Sequence, residues 1–324
     1  MAITSAVKDM NIAMVKGYMK QNVEASKSEI ARGTGLSIPT VTRIVDSMCM
    51  SGELIDKGLD KMTGGRSASI YARNTNYSLC LLIRIEGRHL NWVIKNLDGE
   101  IVRADHRQID QELIRLLDEL ILGLEKEYAN LKAVVIGISA MVINGRVEQT
   151  KEFTNLLGVN IPLHFKNLTD IPVQLENDMN AIAMGQWYQS KVKTTTTVCL
   201  YFGENGMGAG TIHKGEVWYG TSNFSGELVF MPYAETKFEY MTENIDKVNI
   251  VEFYVKLIQI YAVTLNPDQI VLYSNDFIDN RVHEIRDLCY KRLPINAIPH
   301  IEYSNEFKQD YEKGLFALAQ KLID

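Results

Sequence analysis

Closely spaced helix-capping signals near the N-terminus constrain the fold of this chain more than any other feature. The S-x-x-E stretch Ser26–Glu29 is a capping box, in which each end residue can accept a hydrogen bond from the backbone amide of the other. Gly35 suits a left-handed turn after the short helix that follows, and Ser37 then caps another helix with Pro39 in its first turn. The order of helix, tight turn and second helix predicts a helix-turn-helix.

The helix after Ser37 is predicted to have one apolar and one polar face. The apolar face, expected to be buried, consists of Ile38, Val41, Ile44, Val45 and Met48. The candidates for contact with the major groove of DNA lie elsewhere on the helix: Ser37, Thr40, Arg43 and Ser47. The planar guanidinium group of Arg43 can donate two parallel hydrogen bonds to a guanine base.

A basic, glycine-rich segment follows this helix. Two short strands are predicted at Glu53–Lys57 and Ser67–Arg73, and the segment between them carries Lys61, Gly64, Gly65 and Arg66. We interpret it as a β-hairpin wing, whose Lys61 and Arg66 reach the DNA backbone or minor groove. With an amphipathic helix at Asn11–Lys20, residues 1–75 form a winged helix-turn-helix domain. The alternatives are a three-helix subdomain that only packs on the body, and solvated surface charge for the arginines.

The distribution of charge agrees with a DNA-binding head. The net charge of the 324 residues is −6, which alone disfavours nucleic acid. Residues 1–75, however, hold 10 Lys and Arg against 7 Asp and Glu, a net charge of +3, so the remainder has a net charge of −9. A basic head on an acidic body is typical of a DNA-binding module joined to a sensor domain.

Composition excludes several classes of protein. No apolar run approaches the roughly 18–20 residues that a membrane helix needs, so we expect no membrane partner. The N-terminus carries Lys8 and Lys16 through its apolar pattern, unlike a signal peptide. The four cysteines are far apart, which predicts reduced thiols in the cytoplasm and neither disulfides nor a metal site.

From Cys80 onward, strands and helices alternate in two cycles. The first cycle has three antiparallel strands within residues 80–109, then a helix at Gln111–Asn130 and a buried strand at Ala133–Ile138. The second cycle and the C-terminal elements are predicted at Val173–Glu176, Met179–Gln189, Thr196–Phe202, Gly210–His213 after a glycine-rich turn, Val251–Thr264, Gln269–Leu272, Arg281–Arg292 and Glu306–Leu322. This pattern predicts an α/β body with two lobes over residues 76–324.

Three stretches of this sequence resemble the ROK family of repressors and sugar kinases. The head, Gly33–Val45 with the Gly65-Arg66 wing, resembles the branch of xylose and N-acetylglucosamine repressors. Glu176–Ala181 is similar to the ENDxNA signature of the family. Gly206–Gly210, followed by Ser225-Gly226-Glu227, resembles its GxGAG phosphate turn and AGE segment.

The resemblance implies a ribonuclease-H-like body of the actin/hexokinase type, with a sugar cleft between two lobes. In the kinases of the family, the residue that matches Asp178 is the base that deprotonates the sugar hydroxyl. The residues that match Asn177 and Glu227 bind the sugar, so these three are our candidates for effector binding. The alternative for Asn177 and Asp178 is a helix N-cap, which is compatible with ligand binding.

Departures from the family pattern argue against catalysis. The DxGGT phosphate motif falls on Arg84–Arg88, where Arg84 replaces the aspartate and Glu86 would repel a phosphate. Val229 and Phe230 replace the glycine and the zinc-binding histidine after the AGE segment, and the CxCGxxGC run is absent. The double glycine near the adenosine site is also replaced. We therefore expect no catalytic residue, metal or cofactor.

The resulting hypothesis is a transcriptional repressor of sugar-related genes that binds operator DNA as a homodimer or higher homo-oligomer. The body is expected to dimerise and to sense a sugar, or a sugar phosphate held by Arg84, Arg88 and His89. One alternative is a sugar kinase with Asp178 as the base. Another is a DNA-binding protein whose body binds no small molecule.

Overall fold

The computed structural model describes residues 2–59, 68–109, 112–150, 152–203, 206–231 and 249–323. The chain divides into two compact units. The head comprises residues 1–78 with 96–98, and the body comprises residues 79–95 with 99–324.

The head contains three helices and a small antiparallel sheet. The helices are α1 (Ala2–Gln21), α2 (Lys27–Thr34) and α3 (Ile38–Ser51), and the strands are β1 (Glu24–Ser26), β2 (Leu54–Leu59) and β3 (Ser69–Arg73), in the order β1-β3-β2. The predicted capping box is confirmed, since the Glu29 amide donates to Ser26 Oγ (3.3 Å) and the Ser26 amide donates to Glu29 Oε2 (2.8 Å). Gly35 ends α2 in the left-handed region (φ 72°), and Ser37 caps α3.

The apolar face of α3 lies in the core of the head, with one exception. Val41 and Val45 are fully buried against Val15 of α1, and Ile44 and Met48 are nearly so. The prediction was wrong for Ile38, which is 49% exposed. Ile38 is the first residue of α3, and the buried residues of this helix begin one turn later, at Val41.

The body is built on two five-stranded sheets with the same strand order. The first sheet contains β4 (Leu79–Glu86), β5 (His89–Lys95), β6 (Ile101–Gln108), β7 (Leu131–Ile138) and β10 (Val173–Asn177), and the hairpin β8 (Met141–Ile143) and β9 (Arg146–Gln149) lies apart from it. The second sheet contains β11 (Thr196–Gly203), β12 (Gly206–His213), β13 (Glu216–Val217), β14 (Gln269–Tyr273) and β15 (His300–Ser304). Their orders, β10-β7-β4-β5-β6 and β15-β14-β11-β12-β13, are equivalent. In each sheet, the three strands that come first in the chain (β4, β5 and β6; β11, β12 and β13) pair antiparallel to one another. The two later strands (β7 and β10; β14 and β15) run parallel to the first of these three.

Helices cover both faces of these sheets, as the alternating pattern predicts. They are α4 (Leu113–Glu127), α5 (Ile161–Lys166), α6 (Asp178–Gln189), α7 (Ile250–Thr264), α8 (Val282–Arg292) and α9 (Phe307–Ile323). The leucine face of α4 packs on the first sheet, while α7 and α8 pack on the second. Helices α6 and α9 share one core with residues of both sheets, so they join the two lobes.

Two glycines allow α6 and α9 to touch along their backbones. A Cβ at Gly185 of α6 would lie 1.8 Å from the carbonyl oxygen of Asp310, and one at Gly314 of α9 would lie 1.7 Å from that of Ala181. Neither glycine has a positive φ, so the requirement is for space and not for a special backbone conformation. The contact therefore depends on the absence of a side chain at both positions.

One predicted turn proved to be a strand. Gly206–Gly210, expected to be a turn before a strand at Gly210, lies entirely within β12. A Cβ at Gly210 would be 2.0 Å from the Met179 carbonyl oxygen, and one at Gly208 would meet the Met179 side chain. These glycines therefore let α6 approach the strand, and glycine content alone could not distinguish that use from a turn.

We expect Gly185→Ala to destabilise the protein by about 3 kcal/mol, because the new methyl group meets backbone that cannot move aside. Gly123→Ala on α4 is the matched control, since nothing lies within 4 Å of its Cβ, and it should raise stability by up to about 1 kcal/mol. Thermal and urea unfolding of the full chain measure both. Equal stability of the two variants would contradict the close packing of α6 and α9.

Candidate functional site

The polar face of α3 is open to solvent in the head. Ser37, Arg43 and Ser47 are exposed, and Thr40 is half-buried. Positions 40, 43 and 47 follow the three- and four-residue spacing that puts side chains on one face of a helix. The structure thus brings together four of the six predicted DNA-contacting residues, whereas Lys61 and Arg66 lie outside the described residues.

Local contacts hold the first turn of this face. Ser37 Oγ and Thr40 Oγ1 are 2.9 Å apart, and the Thr40 amide donates to Ser37 Oγ at 3.4 Å. Beside the face, Lys27 pairs with Asp46 at 2.5 Å and lies 5.2 Å from the centre of the Tyr71 ring. Ser37 and Thr40 therefore form a fixed hydroxyl pair in the first turn, and the exposed Arg43 follows Thr40 by three residues on the same face.

A cavity of about 620 Å³ lies in the body, lined by residues of both lobes. Asn177, Asp178 and Glu227 all line it, although Glu227 follows Asn177 by many residues and belongs to the other lobe. The structure therefore places the three candidate effector-binding residues around one space. Carboxylate and amide groups side by side can bind the hydroxyl groups of a sugar.

Asn177 is the N-cap of α6, which is the alternative role that the sequence indicated for it. Its Oδ1 accepts from the amides of Met179 (2.9 Å) and Asn180 (3.2 Å), and its Nδ2 donates to the Ala140 carbonyl oxygen (3.0 Å). The side chain is thus held in place at the cavity wall by α6 and by the turn between β7 and β8.

Asp178 begins α6 and faces the same cavity. Burial raises the pKa of its carboxyl group to about 6, although hydrogen bonds from Ser139 and the Met179 amide favour the ionised form. The nearby charge of Glu86 raises this pKa further. A carboxylate in this position suits a hydrogen-bond acceptor or a proton acceptor.

Glu227 supplies a second carboxyl group to the cavity. Burial, followed by the charge of Asp178, raises the pKa of Glu227 to about 7. Within the described part of the chain, its side chain has no hydrogen-bond or ion-pair partner. A donor from a bound molecule would therefore stabilise both this carboxyl group and Asp178.

Glu176 lies behind this site and orients it. Its carboxylate, 3% exposed, accepts from Tyr219 (2.6 Å), Asn180 (3.0 Å) and the Asn177 amide (3.1 Å). Burial raises the pKa of the Glu176 carboxyl group above its ordinary value, and these hydrogen bonds offset only part of that rise. The first residue of the ENDxNA stretch thus ties the end of β10 to α6 and to the second lobe.

Sequence reasoning missed the contribution of α9 to the cavity. Tyr311 and Lys308 of α9 line the cavity, and Tyr311 is 1% exposed with no hydrogen bond to its hydroxyl group among the described residues. Nothing local in the sequence marks either residue, because they reach the cavity only through the packing of α9 on α6. Phe230, which replaces the zinc-binding histidine of the family, is 53% exposed, contacts the Phe224 ring and does not line the cavity.

An ion pair occupies the region where the family's phosphate motif falls. Arg84 Nε lies 3.2 Å from Glu86 Oε2, and the guanidinium lies 5.8 Å from the centre of the Tyr311 ring. Glu86 lines the cavity, whereas Arg84 does not, and Arg88 and His89 are exposed outside it. The described residues contain no group of three histidine, cysteine or acidic side chains placed to hold a metal ion.

Comparisons with known proteins agree with this arrangement. Residues 80–239 match the model of the ROK family. The chain is 25% identical over 234 residues to the xylose repressor of Caldicellulosiruptor bescii, an alignment that covers 68% of this chain and 58% of that protein. The chain thus spans about three fifths of the length of this relative.

Solved structures show the same fold. A crystal structure of a ROK family transcriptional regulator, a homologue of the E. coli MLC protein, matches with a TM-score of 0.69 at 18% identity, covering 98% of this chain and 97% of the other. A ROK family glucokinase from Streptomyces griseus, in complex with glucose and AMPPNP, matches with a TM-score of 0.54 at 12% identity, covering 75% of this chain and 100% of the other. The predicted winged head and two-lobed body are confirmed as the fold.

We expect Asp178→Asn to stabilise the ligand-free protein at pH 7.5 by on the order of 1–2 kcal/mol. The folded-state pKa of about 6 exceeds the ordinary value of 3.8 for an aspartate, so the folded protein loses stability as pH rises between these values. The gain should be full above pH 6 and absent below pH 4. Urea unfolding across this range measures it, with exposed Asp170→Asn as the control, and a pH-independent difference would contradict the assignment.

Proposed function

This chain belongs to the ROK family, and on that premise we propose that it is a DNA-binding transcriptional repressor of sugar-related genes. The observation that carries the proposal is the polar, solvent-facing side of α3, along which Thr40, Arg43 and Ser47 lie in line. Its relatives named as xylose repressors, and the ROK transcriptional regulator with the same fold along its length, support it.

Helix α3 has the properties of a recognition helix. Its apolar side is held in the core of the head, so the opposite side can enter the major groove without disturbing the fold. Arg43 would bind guanine through two parallel N–H donors, while the hydroxyl groups of Ser37 and Ser47 would bind base edges or phosphates. Lys61 and Arg66 of the wing would contact the backbone or the minor groove.

We propose that the protein binds its operator as a homodimer, in the cytoplasm where the DNA lies. One α3 reads only a few base pairs, and two heads related by two-fold symmetry read two half-sites one helical turn apart. The body supplies the connection between heads. No helix in the described ranges is long and apolar enough to cross a membrane.

We expect Arg43→Ala to weaken specific DNA binding by about 1–3 kcal/mol, roughly five- to 150-fold, because a bidentate base contact is lost. The measurement is a fluorescence anisotropy titration with DNA from upstream of the protein's own gene, at two salt concentrations. Arg115→Ala on α4, which removes an exposed arginine from the body, is the control and should bind like the wild type. Equal affinity of the Arg43→Ala variant would contradict the proposed role of α3.

The body is proposed to bind a sugar without phosphorylating it. The Arg84–Glu86 ion pair stands where phosphoryl transfer needs an aspartate for Mg²⁺ and glycines for phosphate. Glu86 adds a third carboxyl group to the cavity of Asp178 and Glu227, which disfavours a phosphate for electrostatic reasons. These charges favour an unphosphorylated sugar over the sugar phosphate considered from Arg84, Arg88 and His89. The kinase alternative retains Asp178, the sugar-binding residues and the glycine-rich Gly206–Gly210 stretch.

We expect an unphosphorylated sugar to raise the melting temperature without producing ADP from ATP. A ligand at a hundred times its Kd stabilises a protein by about 2.7 kcal/mol. A panel of pentoses, hexoses and their phosphates, assayed by thermal shift and by coupled ADP detection, tests both statements, and Asp178→Asn should reduce the thermal shift. Sugar-dependent ADP formation that Asp178→Asn abolishes would instead establish the kinase, and a flat thermal screen would favour a body without a ligand.

A further inference from the structure

Helix α1 is apolar on two opposite sides. One side, with Ile12, Val15 and Met19, packs into the core of the head. The opposite side consists of exposed residues spaced three or four apart: Ala6, Val7, Met10, Ala13, Met14 and Gly17. Val7, Met10 and Met14 are 48%, 58% and 38% exposed. We call these six residues the outer face of α1.

The outer face carries no charge over its full length. At 100° per residue, Asp9, Lys16 and Lys20 lie together on one border of this face, and Asn11 and Tyr18 lie on the other. A solvent-facing side of a surface helix is ordinarily charged or polar, so an apolar stripe there indicates a surface that another element covers. DNA is a poor candidate, because its phosphates attract cationic and not apolar surfaces.

Gly17 gives an independent indication of a close partner. It lies inside α1, where glycine weakens a helix relative to alanine. No described residue lies within 4 Å of its Cβ position, and its φ is not positive, so nothing in the described part of the chain requires glycine there. A missing side chain in the middle of an apolar helical face allows a second helix to approach closely.

We propose that the outer face of α1 packs against the same face of a second copy of this chain, with the two helices antiparallel. The inference rests on the proposed function in one respect, since both require two heads that act together. Two-fold symmetry makes the surface self-complementary. In the antiparallel register, Val7 packs against Gly17 of the second copy, and Met10 packs against Met14 of the second copy.

Charge selects the antiparallel orientation. In an antiparallel pair, like borders of the two faces meet, so Asp9 comes beside Lys16 of the second copy, twice by symmetry. In a parallel pair, the charged border would instead meet the border with Asn11 and Tyr18. Lys16 already pairs with Glu53 at 2.7 Å, and an ammonium group with three donors serves two carboxylates. Such exposed ion pairs fix orientation more than they add affinity.

The size of this contact determines when it forms. One helix pair buries less surface than the roughly 1,200 Å² or more of a stable protein interface. The contact therefore joins heads that another interaction, such as adjacent half-sites on DNA or pairing of the bodies, has already brought together.

Disulfide trapping in the full chain tests the pairing. Met10→Cys and Met14→Cys are prepared separately, mixed in equal amounts, oxidised with and without operator DNA, and analysed on non-reducing gels. We expect a covalent dimer in the mixture, several times more abundant than in either variant alone. The native cysteines are three buried thiols and a half-buried one, so the wild type should give none.

Met50→Cys supplies the matched control, because Met50 is 84% exposed on α3 and lies off the outer face. No dimer in the mixture, or as much from Met50→Cys with either variant, would overturn the proposal. Dimers from each variant alone and fewer from the mixture would mean parallel helices, which also contradicts it. If no covalent dimer forms while the unmodified protein binds its operator, the proposed pairing of α1 is wrong and the proposed repressor function is unaffected.

Discussion

The close contact of α6 and α9 is the constraint on which the body depends. Gly185 and Gly314 bring the two helix backbones together, and residues of both sheets pack around the pair. Helix α6 follows the last strand of the first sheet, and α9 follows the last strand of the second sheet. Because both helices share one core, their contact fixes the two sheets relative to each other. The cavity between the lobes is a consequence of this joint.

The same two helices supply much of the cavity wall. The N-terminus of α6 positions Asn177 and Asp178, and α9 contributes Lys308 and Tyr311. The buried Asp310 on α9 accepts a hydrogen bond from Tyr273 of β14 at 2.5 Å, which ties this helix to the second sheet. A ligand that bridges Asp178 and Glu227 would therefore act on the joint between lobes, provided that it binds the two arrangements of the lobes unequally.

Three carboxyl groups dominate the electrostatics of this cavity. Asp178, Glu227 and Glu86 line it together, and burial with mutual repulsion raises the pKa of the first two toward neutrality. Arg84 balances Glu86 from outside the cavity. The body thus combines the fold of a ROK family glucokinase with three carboxyl groups in one cavity, and the proposal of a sugar sensor rests on this charge pattern.

The sequence by itself determined the features that depend on neighbouring residues. The caps Ser26, Gly35 and Ser37, the buried face of α3 apart from Ile38, and the alternation of strands and helices were predictable, because capping and periodicity act over one or two turns. The equivalence of the two sheets, the role of Gly208 and Gly210 as packing glycines and the entry of Tyr311 into the cavity were decided only by the tertiary structure. Each of these depends on contacts between residues far apart in the chain, which no local pattern records.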